Sequence, residues 1–155
     1  MLEIDGVKMF QGAAMLNYVG AKYNLKPTDP MVNYRGEKAV EHTMGDFFGK
    51  HMYKLMFASD EERDALVDVF VAADGPFHQF LNSLSSKCLG DSKFLCGDEV
   101  TIHDFVVAGF FVNVPLNPNN VKVGPKMMAS YEANAPDRLK QYITDFRTAM
   151  QAYLA

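Results

Sequence analysis

Residues 105–112, FVVAGFFV, form an unbroken stretch without a polar side chain. A helix that is apolar all round must be buried, so this stretch predicts a helix at the centre of a bundle. Just before it, Thr101 and Asp104 have the spacing of a capping box, in which each side chain accepts a hydrogen bond from the other's backbone N–H. Val100 and Phe105 are placed to form a hydrophobic staple. The helix is therefore predicted to begin inside the protein, where unpaired N–H groups are costly.

A second interpretation of this segment is a nucleophilic site made of Cys96, His103 and Asp104. Its geometry is unfavourable, because adjacent helical residues point about 100° apart and His103 does not face Asp104. Cys96 would also have to fold back from the preceding loop. We therefore expect a helix start and not a catalytic group. Two cysteines, Cys88 and Cys96, do not make a disulfide framework and are expected to be reduced, and no metal site is expected.

The composition is that of an ordinary globular chain with a core. The 155 residues are 48% hydrophobic and 22% charged, and the net charge is −4. This charge gives no attraction to nucleic acid or anionic lipid, so nucleic acid is not expected as a partner. The longest apolar run is far too short to span a membrane. Acidic Glu3 and Asp5 stand where a signal peptide needs a basic leader, so a cytoplasmic location is expected.

Over the first 30 residues the sequence pattern changes twice, from strand-like to helical and then to a proline-containing break. Two short strand-like runs flank Asp5-Gly6, a preferred two-residue turn, which predicts a hairpin over residues 1–10. A helical pattern of small and apolar residues follows from Gln11. Pro27 and Pro30 then interrupt the helix, so residues 26–30 are predicted to be a linker.

The rest of the chain has helical periodicity. Because its apolar stripe keeps phase across Gly75-Pro76, one long kinked helix is predicted there. Pro125 and Pro136 are each placed near the first turn of a further helix. Three stripes are predicted to be buried: Val40, Met44, Phe47, Phe48, His51 and Leu55; Leu66, Phe70, Phe77, Leu81 and Leu84; and Leu139, Tyr142, Ile143, Phe146, Met150 and Tyr153.

Three segments together resemble the cytosolic glutathione transferase family. MLEIDGVKMFQGAAMLNYVGAKY is similar to the second half of the family's thioredoxin-like, glutathione-binding domain. FLCGDEVTIHDFVVAGFF and GPKMMASYEANAPDRLKQYI are similar to its helical domain. The resemblance implies a mostly α fold, with a hairpin-plus-helix remnant of the thioredoxin-like domain over residues 1–25. Residues 31–155 then form the helical domain.

The resemblance also implies where glutathione would bind. In the family, a polar pair after the hairpin holds the γ-glutamyl end of glutathione at a helix N-terminus. Gln11 matches the first member of the pair. Gly12 replaces the usual serine and keeps only its N–H. Asp46 resembles an acidic residue that reaches across the dimer to the glutathione amine, although a solvated helix residue is an equal alternative. Glutathione is thus expected as a substrate or weak ligand, and no tightly bound cofactor is expected.

The family's thiol-activating residue has no counterpart in this sequence. That residue lies in a β-α-β unit before a cis-proline, and Met1-Leu2 matches the positions just after the proline. No residue is therefore assigned a catalytic role. Tyr18, Tyr23 and His42 are better explained as helix packing or surface.

Two functions follow from this departure. The first is a non-catalytic interaction or assembly subunit, homo- or hetero-oligomeric, which uses the hairpin edge and the helices at 11–23 and 31–57. The second is an active transferase of which this chain is an N-terminally incomplete version. For the interaction subunit, a partner surface is expected to cover the apolar residues of the hairpin side: Met1, Leu2, Ile4, Met9 and Leu16.

Overall fold

The chain begins with a two-stranded antiparallel hairpin, as predicted. The computed structural model describes residues 1–154, the last of them by its backbone alone. Strands β1 (Leu2–Ile4) and β2 (Val7–Met9) pair in the register Leu2↔Met9. Asp5 and Gly6 turn the chain with φ of 52° and 76°, the left-handed conformation that a tight hairpin turn requires.

Helices α1 (Gly12–Lys22) and α2 (Pro30–Glu41) follow the hairpin. The Asp29 side chain caps α2 by accepting hydrogen bonds from two first-turn N–H groups. Helix α1 packs on the start of the later helix α6 (Ile102–Asn113), where a Cβ on Gly20 would lie 2.6 Å from Ile102. The Leu25 carbonyl accepts the N–H of Ile102 at 2.9 Å. Helix α1 and the residues that follow it are thus fixed to the start of α6.

A π-helical segment, His42–Met52, continues α2 and leads into the short helix α3 (Tyr53–Phe57). The predicted burial of Met44 is wrong, because its side chain is 40% exposed. Thr43 and Met52 are buried in this region instead. The i→i+5 bonding of a π-helix widens each turn, so a stripe laid out at α-helical spacing loses register here.

Helices α4 (Asp60–Val71) and α5 (Pro76–Lys87) are separate, so the predicted single kinked helix is wrong. Pro76 has no N–H to continue the ladder, and Gly75 is extended, with φ of −72° and ψ of 166°. The Phe70 and Phe77 rings stack across the break, with centroids 5.7 Å apart, so the apolar stripe stays continuous although the helix does not. Leu66, also predicted to be buried, is 39% exposed.

Helix α6 is buried at the centre, as its apolar sequence predicts, and packs against α1, α2 and α8. Helices α7 (Gly124–Asn134), α8 (Asp137–Ala149) and α9 (Gln151–Leu154) close the fold. Tyr153, predicted to be buried, is 84% exposed, because the chain breaks its helix at Met150. The predicted end of the helical domain at residue 155 lies outside the described residues.

An aromatic cluster forms much of the core. The rings of Phe47 and Phe80 stack with centroids 3.9 Å apart, and Phe110 meets both of them edge-on. The core thus joins the π-helical segment, α5 and α6. Within residues 1–154, none of the helices combines the length and apolar character that crossing a bilayer requires.

Candidate functional site

The predicted glutathione pair lies at the start of α1. Gln11 precedes the helix with φ of 74° and ψ of 104°, a left-handed conformation that side chains other than glycine rarely adopt. Gly12 is the first helical residue, and open space surrounds the position of its missing Cβ. In the described part of the chain, no side chain caps this end. The first-turn N–H groups are therefore free to meet an anion.

Asp46 lies on the π-helical segment and is engaged by its own helix. Its carboxylate accepts a hydrogen bond from Lys50 at 2.7 Å and lies 3.7 Å from the His42 ring. The hydrogen bond from Lys50 holds the pKa of Asp46 below its usual value. The side chain borders an open cleft of about 730 Å³ between this segment and α5. Its role towards glutathione stays a prediction.

Thr101 and Asp104 form a capping box at the start of α6. Asp104 Oδ2 accepts hydrogen bonds from the Thr101 N–H at 2.8 Å and from the Thr101 hydroxyl at 2.9 Å. Its other oxygen accepts from the Leu95 N–H at 3.1 Å and from the Tyr142 hydroxyl at 3.0 Å. The carboxylate, with no exposed surface, thus joins the helix start to the preceding loop and to α8.

Phe105 of this segment and Tyr142 of α8 make further contacts around the helix start. The Phe105 ring is 41% exposed and meets Phe146 of α8 edge-on, with centroids 5.7 Å apart. Its predicted staple with Val100 stays a prediction. Burial raises the pKa of the Tyr142 hydroxyl well above its usual value, and the neighbouring Asp104 carboxylate adds to the rise.

The loop before α6 folds back towards the helix. From the sequence, the need for such a fold-back made a cysteine site unfavourable. Cys96 Sγ lies 3.5 Å from His103 Nδ1. The loop is held by a short bridge in which the Phe94 N–H donates to the Gly97 carbonyl at 2.7 Å. Gly97, with φ of 141°, allows the turn. The fold-back that a cysteine site would need is therefore present. Asp104, in contrast, bonds to Thr101, Leu95 and Tyr142.

Sequence reasoning missed two residues that complete this cluster. Glu37 of α2 places Oε1 3.5 Å from His103 Nε2. Gly36, beside it, would carry a Cβ 2.4 Å from the His103 ring and 2.8 Å from Cys96 Sγ. The sequence signal was a glycine inside a helix, which often marks a close approach to another element.

Comparison with known proteins gives two relatives. Glutathione S-transferase A of Cavia porcellus is 38% identical over 65 residues, which cover 42% of this chain and 29% of the relative. Glutathione S-transferase of Antechinus stuartii is 31% identical over 105 residues, which cover 67% of this chain and 46% of the relative. The chain is a relative of the glutathione S-transferases. No family model matches it.

This relationship confirms the resemblance and the mostly α, glutathione-S-transferase-like fold. The aligned regions cover less than half the length of either transferase. The division into domains and the glutathione-binding roles of Gln11, Gly12 and Asp46 stay predictions. Within the glutathione S-transferase fold, the structure places Gln11 and Gly12 at the open end of α1 and Asp46 beside the cleft against α5.

Proposed function

We propose that this chain is a non-catalytic assembly subunit of the glutathione-S-transferase type, which pairs with a second copy of itself through the hairpin and α1. The observation that carries the proposal is the exposure of large apolar side chains there. Met1 is 88% exposed, Phe10 76% and Val7 57%. Covering such a side chain contributes about 1.5–3 kcal/mol.

The hairpin has two open strand edges, and a two-stranded hairpin is marginally stable by itself in water. Its facing residues Glu3 and Lys8 have opposite charges. The Glu3–Lys8 pair lies on one face of the hairpin and the Ile4–Val7 pair on the other, so the face that a second copy covers is the apolar one. Lys22 binds Asp5 at 2.6 Å and fixes the hairpin turn against α1, so the two elements present one surface.

The oligomeric state tests this proposal by sedimentation velocity over a range of protein concentrations. Wild type is expected to sediment as a dimer, and Val7→Asp is expected to shift it to monomer. Val69→Asp is the matched control, because Val69 is 69% exposed on α4 and should leave the dimer intact. A wild-type monomer at every concentration, or equal effects of the two substitutions, would contradict pairing through this surface.

The second part of the proposal is weak binding of the γ-glutamyl end of glutathione at Gln11 and Gly12. The strained backbone of Gln11 supports it, because residues in sparsely populated conformations cluster at binding sites. Titration with glutathione is expected to shift the backbone amide resonances of residues 12–14, with a dissociation constant in about the millimolar range.

A matched pair of variants tests the glutathione contact. Gln11→Ala is expected to abolish the amide shifts. Asn24→Ala is the control, since Asn24 also has a positive φ, 57°, but lies beyond the other end of α1. Shifts that survive Gln11→Ala unchanged would place glutathione elsewhere.

An active transferase, conjugating glutathione to small apolar electrophiles, is the second candidate. The observation that favours it is an apolar cavity of about 520 Å³, lined among others by Leu25, Phe105, Val112, Phe146 and Met150. Small-molecule sites are typically concave and mostly apolar. Conjugation of glutathione to an aryl halide above the uncatalysed rate, lost in Gln11→Ala, would establish this candidate. Turnover at the uncatalysed rate supports the non-catalytic subunit.

A cytoplasmic location is part of the proposal. Cys88 and Cys96 are both free thiols in this fold. Such thiols are typical of reducing compartments, where disulfides do not persist.

A further inference from the structure

Three functional groups form a line where α2 meets α6 and the loop that precedes α6: Cys96, His103 and Glu37. The imidazole of His103 lies between the other two, with Nδ1 3.5 Å from Cys96 Sγ and Nε2 3.5 Å from Glu37 Oε1. Only 1% of the His103 side chain is exposed, and its Nε2 makes no hydrogen bond within the described residues. Gly36 leaves the space that the imidazole and the sulfur fill.

The charges around the ring decide which nitrogen carries the proton. A carboxylate beside Nε2 favours the tautomer with hydrogen on Nε2, which leaves the Nδ1 lone pair facing the sulfur. The Thr101 hydroxyl is 3.3 Å from Nδ1, but its single proton goes to Asp104 Oδ2. The Cys96 S–H is thus the proton that can fill the space beside Nδ1, with the Val32 carbonyl as its other acceptor.

Cys96 lies at the edge of a surface cavity. Cys96 is partly exposed and lines a surface cavity of about 310 Å³ with Leu25, Lys26, Pro27 and Val100. Cys88, the other cysteine, is 8% exposed and lies at the end of α5. A small molecule can therefore approach Cys96 through this cavity.

We propose that Cys96 is a nucleophilic thiol that captures small α,β-unsaturated carbonyl compounds, with His103 as its base and Glu37 as the residue that positions His103. This arrangement has a nucleophile, a base within reach and a third group that orients the base. It uses none of the residues assigned to glutathione.

The reaction is an addition that needs no other reactant. Cys96 Sγ forms a bond to the β-carbon of the acceptor while its proton passes to His103 Nδ1. The electron pair of the carbon–carbon double bond moves towards the carbonyl and gives an enolate. The α-carbon of the enolate takes a proton from water in the cavity, and the imidazolium gives its proton up to solvent past the partly exposed Glu37 carboxylate, so the elements of S–H have added across the double bond. The Glu37 carboxylate stabilises the imidazolium while it exists.

The protonation states are consistent with this order of events. Burial raises the pKa of Cys96 and lowers the pKa of His103, so both groups are neutral near pH 7. The thiolate does not form in advance, and the proton must move during attack. The ionisable groups that face the pair are Glu37, Asp104 and Lys26, with the hydroxyl of Tyr142 close to Asp104.

Alkylation with N-ethylmaleimide, followed by peptide mass spectrometry, tests the proposal on the intact chain. Cys96 is expected to react faster than Cys88, which serves as the internal control in the same sample. His103→Gln is expected to slow the reaction at Cys96 about 100-fold, the low end of general-base contributions, and to leave Cys88 unchanged. Glu37→Gln should slow it several-fold, whereas Glu41→Gln, one turn further on, should not.

The pH profile separates a base from a merely structural histidine. With His103 present, the rate at Cys96 is expected to be nearly flat from about pH 7 to about pH 8, because the neutral imidazole is already available. In His103→Gln the rate should rise about tenfold per pH unit, as free thiolate becomes the reactant. A wild-type rate that rises just as steeply, or equal rates at Cys96 and Cys88, would overturn the proposal. If His103→Gln fails to fold, the Glu37→Gln and Glu41→Gln pair still decides, because Glu37 is on the surface of α2.

Discussion

The buried carboxylate of Asp104 accepts a hydrogen bond from the hydroxyl of Tyr142 at 3.0 Å. Tyr142 lies on α8, a helix that begins 33 residues after Asp104 along the chain. This contact turns a local helix cap into a tertiary one. The same carboxylate also accepts the Leu95 N–H, so three elements share one acceptor group. Because a buried donor that loses its acceptor costs about 1–3 kcal/mol, Asp104 should matter more than an ordinary cap.

Asp104→Ala is therefore expected to lower the free energy of unfolding by about 3–5 kcal/mol, since several buried donors lose their acceptor together. Glu62→Ala is the matched control, because Ser59 and Glu62 form a second capping box, on the exposed start of α4. That change should cost about 1 kcal/mol. Urea denaturation measures the free energy of unfolding of both variants. Equal losses would show that the hydrogen bonds from Tyr142 and Leu95 add nothing to the stability that the cap provides.

The cap should also behave as one unit. Thr101→Ala is expected to cost about 1–2 kcal/mol, the range for a lost cap. Because Thr101 and Asp104 bond to each other, the double substitution should cost less than the sum of the two single ones. A double-mutant cycle by urea denaturation measures the difference. Strict additivity would mean that the two side chains act independently.

Stability should fall in alkali because of Tyr142. Its pKa is raised in the folded state, so its contribution to stability is fully present below about pH 10 and is lost as pH rises towards the folded pKa. Tyr142→Phe should make the free energy of unfolding fall less steeply above about pH 10. Tyr131, whose pKa burial raises to about 12, supplies part of the remaining slope.

The control for this measurement is Tyr153→Phe. The Tyr153 side chain is 84% exposed, so its removal should leave the alkaline slope as in wild type. Urea denaturation at a series of pH values gives the slope for each variant. If Tyr142→Phe and Tyr153→Phe gave the same slope, the buried Tyr142–Asp104 contact would not be the origin of the alkaline loss.

Local patterns predicted most of the fold. The Asp5-Gly6 turn, the spacing of Thr101 and Asp104 and the apolar run of α6 each act within a few residues, so sequence reasoning finds them. The π-helical segment defeated the same reasoning, because its altered spacing buries Thr43 and leaves Met44 partly exposed.

The cysteine cluster could not be predicted, because contacts remote in sequence create it. Cys96 reaches His103 only because the Leu95 N–H is anchored on Asp104 and Gly97 turns the loop. Glu37 arrives from a different helix. Adjacent helical residues do diverge, so Asp104 is not the partner of His103, and Glu37 takes that place.

Gly36→Ala tests how closely this cluster is packed. Alanine is the better helix former by about 1 kcal/mol, so an open site would gain stability. At position 36, however, the new Cβ would lie 2.4 Å from the His103 ring and 2.8 Å from Cys96 Sγ. The ring is fully buried and has little room to retreat, so Gly36→Ala is expected to destabilise the fold by about 1–3 kcal/mol, the range for overpacking.

Two comparisons show whether contact with the His103 imidazole is the cause of the destabilisation by Gly36→Ala. Gly109→Ala, inside α6, is the control, because nothing lies within 4 Å of the Cβ position and the change should be neutral or stabilising. Adding Gly36→Ala to a His103→Ala background should cost less than adding it to wild type, since the smaller side chain leaves space for the methyl group. Thermal unfolding of the four variants measures this coupling. An unchanged cost in the His103→Ala background would mean that the clash at position 36 is with Cys96 or the backbone and not with the imidazole.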